Sequence, residues 1–89
     1  MRRAAKRDAN EPEIIKALEA AGCRVWQLNQ EGVPDLLVVR HGQITLLEVK
    51  NGEFRGKLTG AQQDNLLRGL PFQIVQDKWE ALHAMGIKL

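Results

Sequence analysis

Asp35, Glu48 and Lys50 are the residues whose types and spacing could carry a reaction in this chain. His41-Gly42 reads as the two-residue turn of a β-hairpin, which sets Arg40 opposite Gln43. Five residues back along each arm, Asp35 then lies opposite Glu48 on one face of the sheet, with Cβ atoms about 4.5–5.5 Å apart. A four-residue loop over Arg40 to Gln43 leaves that pairing unchanged. A three-residue loop would instead place Asp35 opposite Val49. Their neighbours on the same face are Leu37, Val39, Ile44 and Leu46, and we expect helices to cover that apolar face. Two carboxylates there repel each other and resist desolvation, so a cation is required. Mg²⁺ or Mn²⁺, hard ions that prefer oxygen ligands, suit the pair. Lys50, two residues beyond Glu48, shares their face by strand alternation. This trio fits hydrolysis of a phosphodiester, with the metal polarising the phosphate and acidifying a bound water. Lys50 would orient that water or stabilise developing charge. The competing reading is a plain ion pair in which Lys50 neutralises Asp35 or Glu48.

The elements that must position these groups follow from periodicity and punctuation. Asn10 reads as the N-cap of a first helix over residues 11–21, with Pro12 in its first turn. Ile14, Ile15, Leu18 and Ala21 recur at helical spacing, and Gly22 stops the helix. Arg24 to Leu28 reads as a strand, and Asn29 to Pro34 as a loop. Leu36 to Val39 is a continuous apolar run, typical of a strand buried on both faces. Ile44 to Val49 is the next strand. Asn51 to Gly60 is a glycine-rich basic loop in which Arg55 and Lys57 could grip phosphates. Thr59 can cap a second helix running to about Leu70 and ended by Pro71. Phe72 to Val75 is a fourth strand, and Lys78 to Met85 a short last helix. The order αβββαβα predicts an α/β sandwich on a small mixed sheet.

Composition sets the outer bounds. The chain has 89 residues, 44% hydrophobic and 27% charged, which is enough for one ordinary globular domain and argues against disorder. Residues 1–10 form a basic leader, with Arg2, Arg3, Lys6 and Arg7 against Asp8, while the rest is close to neutral. Such a leader suits contact with a polyanion such as nucleic acid. No apolar run is long enough for a membrane span. The single cysteine, Cys23, excludes an internal disulfide and a zinc site built on cysteine pairs, so a cytoplasmic location is expected. Trp26 and Trp79 are expected to pack in the core or at an edge, Cys23 to pack as a small hydrophobe, and His41 and His83 to be non-catalytic.

Pro34-Asp35 followed after twelve residues by Glu48-Val49-Lys50 resembles the PD-(D/E)XK nuclease pattern. More closely, Glu11-x-x-Ile14, Gly32-Val33-Pro34-Asp35, Leu47-Glu48-Val49-Lys50 and Leu58-Thr59-x-x-Gln62 resemble the small stand-alone VRR-NUC domains of phages and bacteria. The resemblance runs from Glu11 to the last helix, making residues 11–89 a single VRR-NUC-like domain behind the leader. It implies a restriction-endonuclease-like αβββαβ sandwich and metal-dependent cleavage of DNA. It further implies that Asp35, Glu48 and the Val49 carbonyl bind Mg²⁺ or Mn²⁺, with Glu11 supporting the metal or its water shell. Lys50 would serve the attacking water, and Gln62 would sit beside the site. Compact relatives tend to be homodimers acting on branched DNA such as four-way junctions, and a phage-encoded copy would work in the bacterial host cytoplasm. Glu13 competes with Glu11 for the inward position, because residues i and i+2 on a helix diverge by about 200°; the family spacing favours Glu11. The alternative function is a non-catalytic DNA-binding module on the same fold.

Overall fold

The computed structural model describes residues 9–51 and 60–88. Helix α1 spans Glu11–Ala20, followed by strands β1 (Arg24–Gln27), β2 (Leu36–Arg40) and β3 (Gln43–Val49). Helix α2 (Gly60–Leu67), strand β4 (Gln73–Val75) and helix α3 (Lys78–Ala84) complete the chain. The four strands form one mixed sheet in the order β1-β2-β3-β4. β1, β2 and β3 are antiparallel neighbours, whereas β4 runs parallel to β3. The predicted element order is therefore the observed one.

The hairpin is built as its turn demands. Arg40 faces Gln43 and Leu36 faces Leu47, which fixes the predicted register up to the step before Asp35 and Glu48. Both turn residues have positive φ, 51° at His41 and 77° at Gly42, the twist that joins two right-twisted strands. A histidine is tolerated in that region but not favoured there. His41→Asn should therefore stabilise the fold by roughly 0.5 kcal/mol, read as a higher melting temperature. An unchanged or lower melting temperature would contradict this account of the turn.

Two helices end in the same way. At the end of α1, Gly22 N–H donates to Glu19 O and Cys23 N–H to Leu18 O. After α3, Gly86 N–H donates to His83 O and Ile87 N–H to Leu82 O. Each is a Schellman closure that needs positive φ at its glycine. α2 stops at Leu67 instead of running to Leu70, because the chain turns left-handed at Gly69 before Pro71 is reached. The predicted cap, Thr59, lies outside the described residues.

The core lies on one face of the sheet. Ile14 and Leu18 of α1, Ala81 and Leu82 of α3, and Leu36, Val38, Leu47 and Val49 of the central strands are all buried. α1 and α3 therefore do not cover the face bearing Leu37, Val39, Ile44 and Leu46. Three of these are half-buried, and Ile44 is 66% exposed. α1 and α3 pack together against the opposite face, and β2 is not buried on both sides. Both faces of this hairpin are apolar, so alternation alone cannot say which one the helices take. Trp26, on the edge strand β1, and Trp79 are 49% and 57% exposed, so neither is a core residue. Cys23 is buried as expected, and burial pushes its thiol pKa up, partly offset by the Arg40 guanidinium. Among the described residues, no helix is long and apolar enough to cross a membrane.

Candidate active site

The candidate site lies where β3 ends. Glu48 is 4% exposed and Gln62 is 7% exposed, although both are polar. Lys50 Nζ lies 3.1 Å from Glu48 Oε2, and it also donates to Gln62 Oε1 at 3.4 Å. Gln62 Nε2 in turn donates to Glu48 Oε2, closing a three-membered ring of contacts. Strand alternation puts Glu48 and Lys50 on the face away from the core, and Gln62, in the first turn of α2, reaches them there. Glu48 Oε1 is buried and has no hydrogen-bond partner among the described residues.

Asp35 is brought to the same place by a different bond. It immediately precedes β2, next to the Leu36–Leu47 pair, so it occupies the position across from Glu48. Its Oδ2 accepts the Val49 N–H at 2.7 Å, and its carbonyl accepts the Leu28 N–H at 2.8 Å. The carboxylate is thus oriented by the backbone between Glu48 and Lys50.

Glu11 enters from the helix-covered side. It is 1% exposed, at the first residue of α1, while Glu13 points outward to Lys78 Nζ at 3.5 Å. Glu11 is therefore the inward acid. Gln27 Nε2 donates to Glu11 Oε2 at 3.2 Å, and Gln27 pairs with Leu36 next to Asp35.

Sequence reasoning missed Gln27 and the long-range bonds of the Asn10 side chain. Gln27 carried a faint signal, a polar residue in register with a core leucine. Asn10 holds the N-cap position of α1 as expected, and its carbonyl accepts the Ile14 N–H at 3.2 Å, but its side chain makes no cap bond. Its Nδ2 instead donates to Lys50 O at 3.2 Å and to Gln76 O.

Asp35, Glu48, Lys50 and Gln62 are thus gathered at one end of the hairpin, with Glu11 reaching that end through Gln27. Among the described residues, no group of three or more His, Cys, Asp and Glu is arranged to hold a metal ion by itself. The orphaned Glu48 oxygen nonetheless fits a cation, since a buried carboxylate oxygen without a donor needs an ion or water to offset its desolvation. Arg55, Lys57 and the leader residues Arg2, Arg3, Lys6 and Arg7 lie outside the described residues. Compared with known proteins, the chain matches no family model, no curated protein and no solved structure.

Proposed function

We propose that the chain is a metal-dependent endodeoxyribonuclease of the VRR-NUC type, with a restriction-endonuclease-like fold and branched DNA as its substrate. The observation that carries this reading is the buried Glu48, held by Lys50 and Gln62 through one oxygen while the other has no partner among the described residues. The αβββαβ order, the mixed sheet and the Asp35–Glu48 register support it further.

On this reading Asp35, Glu48 and the Val49 carbonyl hold Mg²⁺ or Mn²⁺, with Glu11 supporting its water shell. The ion supplies Lewis acidity at the phosphate and lowers the pKa of a bound water. Gln62 fixes the Glu48 carboxylate, so its partnerless oxygen stays available to a cation. Lys50 has three N–H donors, of which Glu48 and Gln62 engage two. The third can hold the attacking water or the developing charge on the phosphate. Arg55, Lys57 and the leader Arg2, Arg3, Lys6 and Arg7 would contact phosphates without reading sequence. A homodimer belongs to the same proposal.

The rival is a non-catalytic DNA-binding module, favoured by the close Lys50–Glu48 pair, which already neutralises one carboxylate oxygen. A cleavage assay separates the two. Linear duplex, single-stranded, flap and four-way junction DNA are incubated with Mg²⁺ or Mn²⁺, with and without EDTA, alongside Glu48→Ala. We expect nicking of the junction that stops with EDTA and is absent from Glu48→Ala. Retained cleavage in that variant, or binding of all substrates without cleavage, would remove the nuclease reading.

A further inference from the structure

Asn10 occupies a junction that nothing about helix capping explains. Its carboxamide nitrogen bonds two carbonyls, Lys50 O and Gln76 O. These are the first carbonyls beyond β3 and β4, two parallel strands whose ladder continues through Lys50 N–H to Val75 O at 3.0 Å. Two carbonyl acceptors also settle which end of the amide carries the protons. Gln76 is held through its preceding peptide too, since its N–H donates to Glu80 Oε1 at 2.7 Å. One side chain thus joins the start of α1 to the exits of both strands. The residue after Asn10 is the buried Glu11, and one of the carbonyls it holds belongs to Lys50.

We infer that Asn10 is a positioning residue of the site, a clamp that fixes Lys50 and Glu11 relative to Glu48. The inference rests on the nuclease reading for its kinetic consequence but not for its geometry. With the Lys50 backbone pinned, the ammonium reaches Glu48 and Gln62 from one direction. With α1 pinned at its first turn, Glu11 is delivered to the end of the same strands. Asn10 Oδ1 is buried and has no partner among the described residues, so the amide stays there for its two donated bonds and gains nothing from its acceptor. A fixed geometry of this kind matters because small misplacement of a reacting group can cost about 100-fold in rate.

The test uses Asn10→Asp and Asn10→Ser beside the unsubstituted protein and Glu48→Ala. Aspartate keeps the shape but turns two attractions to carbonyls into repulsions, and serine keeps one hydroxyl donor. With junction DNA and Mg²⁺, we expect kcat to fall roughly 100-fold in Asn10→Asp and less in Asn10→Ser, with KM within about threefold of the original. Exchange of the Lys50 amide with deuterated solvent, followed by NMR without metal or DNA, should accelerate in the same order. A purely structural Asn10 would lower the melting temperature without separating kcat from KM. Unchanged kcat in Asn10→Asp, with Glu48→Ala inactive, would overturn the clamp and leave the nuclease reading standing. If the unsubstituted protein cleaves nothing, the nuclease reading falls and the exchange measurement decides. Unchanged Lys50 protection in both variants would then overturn the clamp, and loss of it would sustain the geometric part.

Discussion

Lys50→Met should bind Mn²⁺ more tightly than the unsubstituted protein while cleaving DNA about 100- to 1,000-fold more slowly. The two effects come from one contact, Lys50 Nζ at 3.1 Å from Glu48 Oε2. An ammonium there and a divalent cation on the same carboxylate repel each other. At about 5 Å that repulsion is about 1.5 kcal/mol even in water, worth roughly tenfold in affinity. Methionine keeps most of the aliphatic stem and removes only the charge, so packing around Glu48 survives. The chemical step loses the group proposed to hold the attacking water, and losses of this class reach three orders of magnitude. Without metal, the variant also leaves the buried Glu48 with Gln62 as its one side-chain partner among the described residues. Breaking such a pair costs about 3 kcal/mol, so Mn²⁺ should raise its melting temperature more than it raises that of the original protein. Isothermal titration and thermal melts with and without Mn²⁺ check both halves. Equal or weaker affinity in Lys50→Met would mean that the metal does not use the Glu48 carboxylate.

The second large effect lies one residue away, on the other face of the same strand. Leu47→Ala should cost about 3 kcal/mol of stability, whereas Ile44→Thr should stay within about 0.5 kcal/mol. Leu47 is fully buried between the sheet and its helices, and Ile44 is 66% exposed. For a domain of this size, the first loss is a large fraction of the whole. Urea denaturation of both variants gives the comparison directly. Similar losses at both positions would mean that Ile44 is buried in solution.

That contrast also marks the limit of what could be read without coordinates. The hairpin register was legible, because a two-residue turn admits one pairing, and that pairing carries Asp35 to Glu48. Helical geometry showed that only one of Glu11 and Glu13 can face inward, and the family resemblance, not the geometry, favoured Glu11. The core face was not, because Leu36, Val38, Leu47 and Val49 on one side mirror Leu37, Val39, Ile44 and Leu46 on the other. What separates them is where α1 and α3 dock, a tertiary fact that strand alternation does not encode. The Asn10 side-chain bonds were missed for a related reason. An asparagine before a helix has a local role by default, and here two carbonyls far along the chain outcompete it. Gln62 was placed beside Lys50 by resemblance, and its bonds to both Lys50 and Glu48 emerge only once α2 is set against the end of β3.

The Asn10 contacts also bear on when during synthesis the protein becomes competent. Its partners lie 40 and 66 residues downstream, so the contacts that order this end of the sheet are among the most distant in sequence. A ribosome that has released α1 and the hairpin has exposed Asp35, Glu48 and Lys50, but not the strand exit at Gln76 that completes the junction. Contacts of such separation form late in folding, since a long loop must close before they are gained. On the proposed reading, a nascent or prematurely terminated chain carries all its acidic ligands and still lacks an ordered site, which keeps an unfinished nuclease harmless to the nucleic acid around it.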